Sequence, residues 1–136
     1  MKRSNFARKP GKPMKRSAIR PKPKQGRKAL IAQADRLLQE AVLKRDHGIC
    51  RRCYRPAAEG HHIIHKPVRY LRWDMRNVVS LCRECHDLDS TDKILLMSWC
   101  INWLGGQEAY DALRLEGNTG TSEEPGDAIR RLSEGA

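Results

Sequence analysis

Four of the five cysteines fall into two Cys-x-x-Cys pairs, Cys50 with Cys53 and Cys82 with Cys85, separated by the 28 residues from Tyr54 to Leu81. Two thiolates on one tight turn can fill two corners of a zinc tetrahedron, so two such knuckles complete one closed site. A closed four-sulfur zinc has no open coordination position and is therefore structural, and any chemistry must come from what the knuckles hold between them. The insert is longer than a simple zinc ribbon needs. It carries His61, His62, His65 and Asn77, and His86 directly follows the last knuckle cysteine.

A chain of 136 residues offers one small core, for which a metal staple matters. Metal binding of this kind contributes about 10–16 kcal/mol of apparent energy that is folding energy as well. The N-terminus is basic without the apolar run of a signal peptide, and no stretch approaches the ~20 apolar residues of a membrane span. The expected setting is the cytoplasm, with reduced thiols and no membrane partner, where paired knuckles favour metal over disulfides.

The net charge of +11 is unevenly placed. Residues 1–28 hold 12 of the 27 Lys and Arg and none of the 16 acids, so the rest is close to neutral. This stretch is punctuated by Pro10, Pro13, Pro21 and Pro23 and has no helical or strand period; it is expected to be a disordered basic arm that neutralises nucleic-acid phosphates. A solubilising tail is the plainer alternative.

From Ala29 to about Asp46, Leu30, Ile31, Ala34, Leu37, Leu38, Ala41 and Val42 recur at helical spacing and predict an amphipathic helix ended by His47 and Gly48. Glu59 to Lys66 reads as a strand, with Ile63 and Ile64 β-branched, and Asn77 to Leu81 as a second. The loop between them interleaves Arg69 and Arg72 with Tyr70 and Trp73, with Lys66 and Arg76 at its edges. Cations beside aromatics suit nucleic-acid backbone and base contacts, although Trp73 serves equally well as a core plug. After the second knuckle a helix is expected, then another over Asp92 to Leu104 capped by Ser90 or Thr91, with Cys100 as a small core residue. Gly105 and Gly106 stop it, Gln107 to Leu115 makes a last short helix, and residues 117–136 read as a flexible tail. The body of the chain is thus residues 29–116.

The runs Glu59-Gly60-His61-His62-Ile63-Ile64, Arg76-Asn77-Val78-Val79 and Leu81-Cys82-Arg83-Glu84-Cys85-His86 closely resemble the HNH endonuclease family. That resemblance implies an α+β fold, a small ββα-metal (His-Me finger) domain stapled by the four-cysteine zinc and flanked by helices. It implies DNA as the partner and, beside the structural zinc, one catalytic divalent metal, with Mg, Mn, Ni, Co and Zn all open. Residue by residue, His61 resembles the strand-borne metal ligand, His62 the general base, Asn77 the residue that ties the loop together and helps orient the base, and His86 the helix-borne ligand. Lys66, Arg69, Arg72 and Arg76 are then the expected nucleic-acid contacts. With its basic approach, long helix, the run from Arg72 to Asn77 before the second knuckle and the closing segment Ile101-Asn102-Trp103-Leu104-Gly105-Gly106-Gln107-Glu108-Ala109-Tyr110, the overall plan is also similar to the phage NinG recombination endonucleases, which implies a phage or prophage setting. A non-catalytic zinc-ribbon nucleic-acid binder would share the knuckles and the arm, but has no need of two adjacent histidines beside an Asn and a third His.

Overall fold

The computed structural model describes residues 26–65 and 69–135, with backbone only at residue 69. The fold is α+β: a two-stranded sheet enclosed by helices, with the four knuckle cysteines drawn together at one end. The first helix, α1, spans Arg27–Arg45 and buries Ala34, Leu38 and Val42, one residue per turn of its apolar stripe. It starts two residues inside the expected arm, whose residues 1–25 lie outside the described residues. His47 and Gly48 end it with positive φ, at 57° and 67°.

Strand β1 (Glu59–His62) pairs antiparallel with β2 (Val78–Leu81), with His61 opposite Val79 and His62 opposite Val78. Period two divides β2 between two cores. Val79 and Leu81 join Ile63, the cysteines, Leu96 and Cys100 on one side, whereas Val78 joins Ala34, Leu38, Val42 and Trp73 on the other. Trp73 is a core plug, 4% exposed, with its Nε1 donating to Asp35 Oδ1 at 2.9 Å.

The expected strand through Lys66 stops at His62. Past that point the ladder is replaced by Asn77: Ile63 N donates to the Asn77 carbonyl at 2.9 Å and Ile64 N to its side-chain Oδ1 at 2.8 Å. The backbone therefore wraps around a side chain instead of continuing alongside β2, and both isoleucines are buried. Asn77 itself ends a 3₁₀ turn, Met75–Asn77, so β2 starts one residue late.

Beyond the knuckles come α2 (Arg83–Thr91), α3 (Lys93–Leu104), α4 (Gln107–Thr119) and α5 (Pro125–Glu134). Asp92 caps α3 by accepting from Leu95 N at 3.1 Å, while the Ser90 and Thr91 hydroxyls donate back to the Asp87 carbonyl and close α2. Neither of the two expected caps is used, because both lie inside α2. Gly105, at φ 110°, ends α3 as its spacing predicts.

The C-terminal stretch departs most from expectation. The fourth helix runs on to Thr119, with Leu113 and Gly117 buried one turn apart. The segment read as a flexible tail contains α5, which starts on Pro125 and lays Ala128 and Leu132 against α1. Ion pairs Arg27–Glu124 and Arg131–Glu123 flank that contact. No helix among the described residues is long and apolar enough to cross a membrane.

Candidate active site and metal centre

The first knuckle is a tight reversal: Tyr54 N donates to the Cys50 carbonyl and Cys50 N to the Arg55 carbonyl, and Tyr54 takes φ 62°. The second is the mouth of α2, with Cys82 as its N-cap and Cys85 in its first turn. Ser80 O accepts from Arg51 N and ties the two together through β2. The four Sγ atoms lie within 4.8 Å of one another, and Cys53 Sγ is 3.5 Å from Cys82 Sγ. A zinc–sulfur bond of about 2.3 Å sets tetrahedral sulfurs about 3.8 Å apart, so this cluster fits one zinc ion.

Guanidinium groups face the sulfurs: Arg52 Nη1 is 3.5 Å from Cys85 Sγ and Arg55 Nε 3.5 Å from Cys53 Sγ. Donors so placed suit thiolates, and Arg55 brings the Cys53 thiol down to about 6. Burial pushes Cys85 the other way, up to about 12. An ion binding here must displace that proton, so its affinity falls as the pH falls.

Next to the cluster lies a groove of about 410 Å³ lined by His61, His62, His65 and His86 together with Gln39, Glu59, Gly60 and Asp89. Strand β1 delivers His61 and His62, and the first turn of α2 delivers His86. The rings of His61 and His86 meet edge to face with centroids 5.1 Å apart. Burial, reinforced by the charge of His86, lowers His61 to about 4, against the opposing pull of Asp89. Its imidazole is neutral at pH 7 and keeps a lone pair that can bind a metal. His86 is half-buried, with Nδ1 3.7 Å from Glu59 Oε1. Among the described residues only the four cysteines form a set of three or more donors close enough to share an ion; His61 and His86 make a pair.

His62 is 8% exposed, with Nε2 2.9 Å from the Arg72 carbonyl. A carbonyl only accepts, so Nε2 carries the hydrogen and the lone pair of the neutral ring sits on Nδ1. Asn77, fully buried, accepts from Ile64 N and donates to the carbonyls of Ile64 at 2.8 Å and Leu71 at 3.2 Å. It thus fastens both limbs of the loop whose next carbonyl, that of Arg72, meets His62.

His65 is exposed on the rim, where Lys93 Nζ approaches its Nε2 at 3.2 Å. Of the expected nucleic-acid contacts, Lys66 and the side chain of Arg69 lie outside the described residues. Arg72 is clamped by Asp35, and Arg76 by Asp74 and Glu116 at 2.7 and 2.8 Å.

Four residues of the site escaped the sequence reading. Gln39 reaches from α1 to Gly60, accepting from its N–H at 2.6 Å and donating to its carbonyl at 3.1 Å, as a neighbouring strand would. The contact is close enough that a Cβ on Gly60 would stand 2.8 Å from Val78 Cγ1 and 3.1 Å from Gln39 Oε1. Asp89 follows His86 by three residues, one helical turn, and Glu59 precedes His61 by two, the strand repeat; both spacings were available signals. Asp35 left no local trace.

A model of the HNH endonuclease family matches residues 50–92. The matched HNH segment opens on the first knuckle and closes on Asp92, the cap of α3, so it contains both strands, both knuckles and α2. No curated protein and no solved structure gives a significant match. The HNH match supports a nuclease-family function, and the four clustered cysteines have the geometry to hold one metal ion.

Proposed function

We propose that this protein is a metal-dependent endonuclease that hydrolyses DNA phosphodiester bonds, with His62 as general base, Asn77 holding the loop behind it, and His61 and His86 as ligands of one divalent ion. The observation that carries this reading is the meeting of three imidazoles in one groove beside the four-cysteine cluster. The donor set suits an ion: His61 is kept neutral by burial, and His86 opens toward the same space. Nitrogen ligands accept Zn, Ni, Co or Mn, and water with phosphate oxygens completes the sphere that Mg prefers.

Hydrolysis needs a nucleophile and a way to carry charge off the phosphate. His62 Nδ1 takes a proton from water while the water oxygen attacks phosphorus in line with the 3′ oxygen. The bond from phosphorus to the 3′ oxygen breaks, that oxygen takes up a proton from solvent, and the products are a 5′ phosphate and a 3′ hydroxyl. An ion held by His61 and His86 would polarise the phosphoryl group and stabilise the charge on the departing oxygen. The basic stretch 1–28 supports DNA as substrate through salt-sensitive phosphate contacts. The likeness to phage NinG endonucleases adds branched DNA to the candidate substrates, and reduced cytoplasmic thiols suit the knuckles.

The test is supercoiled, linear and branched DNA incubated with the purified protein and each divalent metal in turn, beside His62→Ala. The expected result is metal-dependent cutting that His62→Ala lowers by about 10²–10⁴ with an unchanged circular dichroism spectrum. Equal cutting by His62→Ala would remove the base; binding without cutting in every metal would leave a zinc-stapled nucleic-acid binder.

A further inference from the structure

The Arg72 carbonyl that meets His62 is held in turn from α1. Asp35 sits in the middle of α1, between the buried Ala34 and the Gln39 that braces β1 four residues on. Its carboxylate takes three donors from the loop: Arg72 Nε at 3.0 Å and Trp73 Nε1 at 2.9 Å on Oδ1, and Arg72 Nη2 at 2.7 Å on Oδ2. The Arg72 guanidinium also lies over the Trp73 ring, 5.7 Å from its centroid. Two consecutive residues are thereby fixed to a rigid helix, and the carbonyl of the first is the one that faces His62 Nε2 at 2.9 Å. Asn77 pins the preceding carbonyl, that of Leu71.

We propose that Asp35 is a positioning residue for His62: by holding Arg72 and Trp73 it aims the Arg72 carbonyl at Nε2 and so fixes the ring's orientation and tautomer. A charged pair that merely joined α1 to the loop would need neither the third donor nor the turn that brings the Arg72 carbonyl to the imidazole. The catalytic side of the proposal rests on the nuclease reading above; the structural side, the state of the His62 ring, does not. The same geometry explains why the Arg72 cation is turned toward the protein.

Asp35→Asn keeps the shape and one acceptor but loses the charge and the two-oxygen grip. Displacements well below an ångström at a reacting group alter rates strongly, so kcat for DNA cleavage is expected to fall roughly ten- to hundredfold. The KM is expected to hold or drop, because the released Arg72 adds a cation facing DNA. Nitrogen-15 correlation spectra of the zinc-loaded full chain give the second readout, a single Nε2–H tautomer for His62 in the wild type and a mixture in Asp35→Asn. Arg72→Gln, which loosens the grip from the other side while keeping the carbonyl, is expected to reproduce the mixture, and to lower kcat no further when combined with Asp35→Asn. An unchanged tautomer in both variants overturns the proposal, as does a fall in melting temperature with kcat per folded molecule intact. A changed tautomer in a protein that cuts no DNA in any metal upholds the positioning role and sinks the nuclease reading instead.

Discussion

Asn77 is the residue on which fold and site depend together, and removing its amide gives the sharpest test. In Asn77→Ala three buried backbone groups lose their partner at once: Ile64 N–H, the Ile64 carbonyl and the Leu71 carbonyl. A net hydrogen bond is worth about 1 kcal/mol and a stranded buried group up to about 3, so the loss is about 3 kcal/mol or somewhat more. For a domain of this size that lowers the melting temperature by roughly 10 °C, measurable by circular dichroism at fixed zinc concentration. Asn77→Asp separates hydrogen bonding from shape. An ionised carboxylate still accepts from Ile64 N–H, but sets negative oxygen against two carbonyls, so its folded pKa is raised above the usual carboxylate range. The folded state then binds a proton the unfolded chain releases, and stability is regained as the pH falls. Asn77→Asp is therefore expected to melt below Asn77→Ala at pH 7 and to recover on acidification. Wild-type melting by Asn77→Ala, or an Asn77→Asp protein that loses stability on acidification faster than wild type, would refute the account of the loop.

Cys82→Ser is expected to lose zinc and cooperative unfolding together, read by metal content and near-ultraviolet dichroism; a folded zinc-free protein would remove the structural role of the cluster. Asp46, buried at the end of α1, accepts from Arg45 and from Ser80 N at 3.0 Å. Burial alone would raise its pKa, but those bonds outweigh burial and hold it below the ordinary carboxylate range. Its stabilisation is thus complete above about pH 4 and fades as the pH falls through the depressed value. Asp46→Asn should cost about 1–3 kcal/mol at pH 7, and denaturant titrations at pH 7 and pH 3 should show that gap narrowing. Leu132→Ala should cost about 2–4 kcal/mol because Leu132 is packed under α1, whereas a residue of a loose tail would cost nothing.

The parts legible in the sequence are those whose physics is local. Knuckle spacing brought four sulfurs to one point, the stripe from Leu30 to Val42 made α1, and Gly105 ended α3 where its left-handed turn was needed. The stripe Pro125, Ala128, Leu132 was as periodic as that of α1, but the Gly, Ser and Glu around it masked a helix whose stability comes from α1. Local pattern also predicted a strand through Ile63 and Ile64; the side chain of Asn77, thirteen residues away, turned it aside.

The sequence by itself thus determined the four-cysteine cluster, the helices that carry their own period, and which histidines stand near it. What only the tertiary structure decided was how those histidines are held. Gln39 on Gly60, Asp35 on Arg72 and Asp89 beside His61 bring together groups that are far apart along the chain. Such pairings obey no period, because they depend on where a helix and a loop come to rest once two cores have closed around the sheet.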